Sequence, residues 1–259
     1  MRDPQNQSVG NGNVLSSCSV LVTRPREQAE TLCQLIEASG GKAIRFPVIE
    51  ITRLTKTTEL PNFDMAIFIS ANAVRYALQL YPQLAQLSPE IKIAAIGKAT
   101  AAALKHFNIK VDLFPEAMFN SESLLSMPQL ENIEGNTIAL FKGEGGRGLL
   151  AKTLTRRGAT VHELDVYRRD MPTIQSDDLI GVWSKNHVDV VIVTSEEGLN
   201  NLDKMLGEKG KELLRQTPLV VISERLQARS RQLGIKTVIT AKQASDEAIV
   251  SALVDLRKK

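Results

Sequence analysis

The chain has 259 residues, 43% of them hydrophobic and 24% charged, the balance of a soluble globular protein with room for one large domain or two small ones. A net charge of +3 is too mild to demand nucleic acid and suits a small anionic ligand equally well. The two cysteines, Cys18 and Cys33, have neither the spacing of a CxxC motif nor the density of a disulfide scaffold, which fits a reducing cytosol, and the longest apolar runs are strand-length, which leaves no membrane span.

Residues 1–17 lack an apolar core and are rich in Asn, Gln, Gly and Ser, so they fail as a signal peptide and are expected to form a disordered leader. CSVLVT (Cys18–Thr23) then reads as a strand. Glu27–Ser39 reads as a helix, with Leu32, Leu35 and Ile36 at helical spacing and a Gly40-Gly41 stop. KAIRFPVIEI follows as a second strand, and Thr52–Thr58 as a link. MAIFIS, KIAAIG and KVDLFP read as strands, alternating with helices at Ala71–Leu80, Ala99–Phe107 and Ser121–Leu125. Next come TIALFK (strand), Leu149–Arg157 (helix), TVHELDVYRR (strand), and a polar link holding Pro172 and Asp177-Asp178. The chain closes with the strands VDVVIVTS, PLVVIS and KTVITA, and helices at Gly198–Met205, Leu226–Leu233 and from Asp246. Regular βα alternation with unbroken Val/Ile runs predicts parallel sheets flanked by helices on both faces.

The chain also repeats itself. DMAIFISANAVRYALQ (Asp64–Gln79) is echoed by DVVIVTSEEGLNNLDK (Asp189–Lys204), and Ile91–Val111 by Pro218–Val238. Gly41 and Gly158 each end a helix before a strand. Two similar α/β units follow, each built within its own half of the chain or by exchange of elements between halves.

Ligands of open parallel sheets bind beyond the carboxyl ends of the strands. That rule selects Thr23–Arg26, Ser70–Asn72, Gly97–Thr100, Lys142–Gly148, Thr194-Ser195 and Ser223–Arg225. Each Ser, Thr, Gly or Asn there also suits plain helix capping. The basic residues among them, Arg24, Arg26, Lys98, Lys142, Arg147 and Arg225, add charge to helix N-termini and point to a ligand with several carboxylates or phosphates. Gly143, Gly145 and Gly148 fit G-x-G-x-x-G, with Glu163 and Asp165 in the next strand, so a nicotinamide oxidoreductase is one alternative. A non-catalytic two-domain anion-binding protein is another. Lys142–Gly148 is not a Walker A loop, since no Gly-Lys-Ser/Thr follows. His106, His162 and His187 stand apart and predict no metal site. Tyr167 ends a strand beside Arg168-Arg169, where it serves either as packing or as a proton donor facing a cleft.

These segments resemble the uroporphyrinogen-III synthase family. The resemblance rests on VLVTRP (Val20–Pro25), FPVIEI (Phe46–Ile51), FISANAV (Phe68–Val74), AIGKATAAAL (Ala95–Leu104), SESLL (Ser121–Leu125), Ala139–Arg169 and VTSEEGLNNL (Val193–Leu202), and spans Cys18 to Leu256. It implies two similar α/β domains, each a parallel sheet flanked by helices, joined by a two-stranded linker. Residues 18–46 with 172–259 would form one domain and 55–160 the other, with linkers at 47–54 and 161–171. It implies a cytosolic, monomeric, cofactor-free lyase that closes hydroxymethylbilane to uroporphyrinogen III, with loss of water and inversion of the last ring. The implied partners are the linear tetrapyrrole and, transiently, the enzyme that makes it, with no nucleic acid and no membrane. Tyr167 would be the acid. Arg24, Ser70, Asn72, Lys98, Thr100, Ser121, Lys142, Gly143, Arg147, Ser195 and Ser223 would hold the substrate. Glu196-Glu197 and Glu224 make the second-copy loops more acidic than the family pattern, which ranks Ser195 and Ser223 below the others.

Overall fold

The computed structural model describes residues 14–55, 58–116, 118–146, 148–173, 177–185 and 187–258. Most of the expected leader and the candidate Arg147 lie outside the described residues.

In chain order the elements begin with β1 (Ser19–Val22), α1 (Arg26–Ala38), β2 (Lys42–Arg45) and β3 (Glu50–Arg53). They continue with β4 (Met65–Phe68), α2 (Ala71–Leu80), β5 (Lys92–Ala95), α3 (Lys98–His106), α4 (Ser121–Leu125), β6 (Thr137–Gly143), α5 (Leu149–Arg156) and β7 (Thr160–Asp170). The last third holds α6 (Asp177–Ser184), β8 (Val190–Ile192), α7 (Glu196–Met205), α8 (Gly207–Gln216), β9 (Leu219–Val221), α9 (Glu224–Gln232), β10 (Val238–Thr240) and α10 (Asp246–Arg257). Short 3-10 turns at Pro82–Gln86 and Pro128–Leu130 complete the set.

The chain divides into two compact units, one taking residues up to Glu50 and from Asp170, the other Ile51–Arg169. The first contains the sheet β10-β9-β8-β1-β2, parallel throughout. The second contains β3-β7-β6-β4-β5, in which β7, β6, β4 and β5 run parallel. Strands β4, β8 and β9 are buried at every position, so both faces of each sheet must be covered, and unbroken apolar runs are the sequence form of that burial. Helix α1 shows how the cover is made. Its Ala29, Leu32, Cys33 and Ile36 form one buried stripe at helical spacing, set against a core that includes Val20, Val22 and Leu253.

The internal repeat is physical. Asp189, just before β8, accepts the amide of Ser19 at the start of β1 (2.7 Å), and Asp64, just before β4, accepts the amide of Thr137 at the start of β6 (2.8 Å). Ser70 and Ser195 cap α2 and α7 through the amides of Ala73 and Gly198. The order β2-β1-β8-β9-β10 therefore superposes in sense on β7-β6-β4-β5 followed by Leu113, which bridges Ala94. Each unit therefore mixes the two copies: the first joins β1 and β2 from the first copy to β8, β9 and β10 from the second, and the second joins β4 and β5 from the first copy to β6 and β7 from the second.

Several sequence expectations change. KAIRFPVIEI is two strands in two sheets. The amides of Phe46 and Val48 still reach Val22 and Thr23, but Pro47 between them has no N–H to donate, and Phe46, Val48 and Ile49 turn into the core. KVDLFP shrinks to the bridge at Leu113 because the Asp112 carboxylate takes the Ile93 amide at 2.9 Å. The polar link becomes α6, whose first turn is Asp177-Asp178 and whose Trp183 donates to Thr217 at 2.9 Å. Helix α8 has only Gly210 and Leu214 buried, too sparse a stripe to be legible as a helix. Residues 14–17 are not a leader. Leu15 is fully buried, and its amide bonds the carbonyl of Ser39 at 2.9 Å.

Candidate functional site

The second unit gathers its polar candidates at the carboxyl edge of its sheet. Strands β6 and β7 run in step from Thr137–Thr160 to Lys142–Asp165, then slip, so that Gly143 faces Tyr167. A β-bulge of this kind re-aims a side chain at a strand end. The Tyr167 ring lies directly on Gly143. A Cβ there would stand 2.6 Å from Cζ and 2.7 Å from Cε2, so glycine is the residue the ring requires. Tyr167 is 4% exposed and packs at 5.9 Å from the Tyr76 ring, while the Arg169 guanidinium sits 6.0 Å over its face. Its hydroxyl meets Ser70 Oγ at 3.1 Å. Ser70 is held in place by its capping bond from the Ala73 amide, 3.0 Å.

Side chains alternate along β6, so Lys142 points to the opposite face from Phe141, which stacks on Phe68. Lys142 Nζ donates to Asp165 at 2.7 Å and lies 3.4 Å from Glu163. Burial works against its charge, but the Asp165 hydrogen bond and the two carboxylates outweigh it and hold the ammonium above the ordinary lysine range. Lys142, Ser121, Asn120, Glu163 and the glycines at 145, 146 and 148 line a pocket of about 280 Å³ on that face. Lys142 is thus not the free cation the sequence suggests. Arg24 is not free either, since its guanidinium binds Asp246 at the head of α10. Arg24 follows Ser19 by the same step as Lys142 follows Thr137, so the two copies neutralise a cation at the same point.

The remaining candidates divide by unit. Asn72 and Thr100 are buried in the first turns of α2 and α3. Lys98 is exposed at the head of α3, with its ammonium 5.5 Å over the Phe119 ring, which itself sits on Gly97. Ser195 and Ser223 belong to the first unit, where each caps a helix by accepting an amide, Gly198 at 2.9 Å and Leu226 at 3.3 Å. Arg225 lies 3.6 Å from Glu196. The structure brings Ser70, Gly143 and Tyr167 together, and Lys142 with Ser121.

Sequence reasoning missed Asp165 and Asp246 as partners of the basic candidates, because a parallel register and a helix start distant in the chain supply them. It also treated Gly143 as part of a phosphate loop. In the structure Gly143 still belongs to β6 and is covered by the Tyr167 ring, while Gly145 and Gly146 (φ +78° and +99°) serve a left-handed turn. That departs from the dinucleotide pattern, in which the glycines admit the pyrophosphate and the helix. Among the described residues no group of three or more His, Cys, Asp or Glu could hold a metal ion, and no helix is long and apolar enough to cross a membrane.

The family described as uroporphyrinogen-III synthase HemD matches residues 30–251. The chain is 32% identical over 244 residues to the uroporphyrinogen-III synthase of Escherichia coli strain K12, covering 91% of the chain and 99% of the relative. It is 34% identical over 251 residues to that of Salmonella typhimurium strain LT2, with the same coverage. Among solved structures, uroporphyrinogen-III synthetase from Helicobacter pylori 26695 aligns at a TM-score of 0.59 and 16% identity, over 92% of this chain and 99% of that one. That likeness is one of fold.

Proposed function

The chain belongs to the uroporphyrinogen-III synthase family, enzymes of tetrapyrrole synthesis, and from that premise we propose that it acts as a cyclising lyase with Tyr167 as its acid. The substrate is hydroxymethylbilane, a linear tetrapyrrole with an acetate and a propionate on each pyrrole. The products are uroporphyrinogen III, with its last ring inverted, and water. No cofactor enters this scheme.

The terminal hydroxyl of the bilane departs with the C–O electron pair and needs a proton to leave as water. Tyr167 Oη supplies that proton. The electron-rich pyrrole stabilises the cation left behind. The carbon of the last ring that already carries a bridge attacks this cation, the old bridge bond to that carbon then breaks and leaves the cation on the bridge, and the bridge re-bonds at the last ring's free position, whose proton is released and restores the phenol. Atoms and charge balance as bilane to macrocycle plus water. The observation that carries this reading is the Tyr167 hydroxyl, set 3.1 Å from Ser70 Oγ at the carboxyl edge of the sheet, where ligands of parallel sheets bind. The Arg169 charge over the ring face supports the phenolate formed when the proton leaves. Lys98, Ser121 and Asn72 stand at the same edge and are proposed to face the substrate's carboxylates. Folding the bilane into the ring-inverting geometry is the larger part of the work. In this proposal the enzyme works as a cytosolic monomer and meets the bilane-forming enzyme only in passing.

The test is product identity. Purified protein fed by a bilane source should yield the type III isomer. A folded sample giving only the uninverted type I isomer would remove the proposal.

A further inference from the structure

We infer that Ser70 and Gly143 are positioning residues that aim the Tyr167 hydroxyl, an inference that rests on the reading of Tyr167 as the acid. Three independent constraints meet on one phenol. The β6–β7 slip puts Gly143 opposite Tyr167, and the missing Cβ opens the space in which the ring lies, since a methyl group would overlap Cζ, Cε2 and, at 3.0 Å, the hydroxyl oxygen. The backbone adds a tie, because the Glu144 amide donates to the Tyr167 carbonyl at 2.8 Å. Ser70 fixes the other end of the ring. Its oxygen is held by the N-terminus of α2, through the Ala73 amide, and is therefore a rigid reference point for Oη.

The chemistry of a hydroxyl suits this post. Ser70 Oγ has one hydrogen and two lone pairs, and the Ala73 amide uses one lone pair. A lone pair and the hydrogen remain for Tyr167. Ser70 donates this hydrogen to the phenol oxygen, which keeps the ring in place and leaves the phenol's own hydrogen free to reach the leaving hydroxyl. Once the phenol proton has gone, the same Ser70 hydrogen stays donated to the phenolate oxygen. The same oxygen thus orients the acid and stabilises its conjugate base, without moving.

Capping and positioning separate cleanly at Ser70, because glycine keeps most of the N-cap stability while removing the hydroxyl. We would measure kcat and KM for Ser70→Gly, Ser70→Thr, Gly143→Ala, Tyr167→Phe and the double variant Ser70→Gly with Tyr167→Phe. Each would also be melted to report folding. Ser70→Gly should lose about 10- to 100-fold in kcat, as misplaced catalytic groups do, with KM within about threefold. Ser70→Thr, which restores a hydroxyl on the same backbone, should recover most of that loss. In the Tyr167→Phe background, Ser70→Gly should slow the enzyme no further. Gly143→Ala should lower kcat in the same way, and the Ser70 variants keep the inference testable if it fails to fold. A Ser70→Gly enzyme with normal kcat, a Ser70→Thr enzyme as slow as Ser70→Gly, or losses that multiply in the double variant would each overturn the positioning role. Those outcomes with a slow Tyr167→Phe enzyme sink this inference alone. A Tyr167→Phe enzyme at full speed sinks the acid reading, and the positioning role with it.

Discussion

Lys142 and Asp165 face each other across the β6–β7 pair with 2.7 Å between ammonium and carboxylate, one step before those strands fall out of register. The pair closes the regular part of the ladder, and Gly143 opposite Tyr167 begins the irregular part. Its pH dependence follows from the direction of the Lys142 shift. A lysine whose folded-state pKa is raised contributes stability in full below the unfolded value, about 10.4, and loses it as pH rises through the folded value. Asp165→Asn should therefore cost about 1–3 kcal/mol at pH 7, the scale of a hydrogen bond to a charged group. The gap from the parent protein should close as pH rises beyond the lysine range. Melting curves from pH 7 to 11 for both proteins check this, and a gap that stays constant to pH 11 contradicts it.

Leu15 gives a second prediction. It is fully buried, in a core cluster with Cys18, Ile36 and Leu253, and a Cβ on Gly41 would stand only 3.2 Å from the Leu15 Cβ. Leu15→Ala should destabilise the protein by about 2–5 kcal/mol, the range for a large-to-small change in a packed core. Chemical denaturation of the variant decides it. A loss under about 1 kcal/mol would put Leu15 at a surface rather than in the core.

Why Leu15 was invisible in the sequence is instructive. It and its neighbour Val14 are an isolated apolar pair inside a polar stretch, with no period to reveal which is buried, and its burial comes from the turn at Ser17 (φ 62°) that folds it back under Ser39. The βα alternation was legible because double-sided burial writes itself as runs such as Val190–Ile192. Helices with few buried positions, α6 and α8, were not. The same divide holds at the site. Tyr167 and Ser70 were legible as a strand end and a helix start, but their 3.1 Å contact depends on a one-residue slip between β6 and β7 that no local pattern encodes. Nor does local pattern show that Arg24 and Lys142 are neutralised, because Asp246 is distant in the chain and Asp165 is set by cross-strand register.

Gly97 supports a third prediction. Its backbone is extended, so no special conformation demands glycine, yet a Cβ there would stand 2.5 Å from Cβ and 2.9 Å from Cγ of Phe119. Gly97→Ala must push Phe119 away from the head of α3 and break its contact with Lys98. The cost should be about 1–3 kcal/mol, as for overpacking elsewhere. Thermal melts of Gly97→Ala test it, and pairing it with Phe119→Gly, which removes both the obstructing Cβ and the ring, should recover part of that cost, measured against Phe119→Gly alone. No recovery in the pair would mean that Phe119 is not the obstacle.

Tyr167→Phe is the sharpest of the four, because it separates the phenol's chemistry from its packing. The phenyl ring still fills the space over Gly143 and beside Tyr76, so the core cluster it shares with Val166 and Phe141 stays intact. The hydroxyl contact to Ser70 is lost, which costs about 1 kcal/mol of stability and leaves Ser70 still engaged with the Ala73 amide. If Tyr167 Oη protonates the leaving hydroxyl, kcat for the type III isomer should fall by about 10²- to 10⁴-fold, the range for a positioned general acid. Product affinity should change far less, because the proton is required in the transition state and not in the ground state. Uncatalysed closure should then compete, and the type I isomer should rise as a share of product. Steady-state rates, product binding and isomer ratio measured on one preparation carry the decision. An unchanged kcat would end the acid role, whereas equal losses in turnover and binding would make the hydroxyl a substrate contact instead.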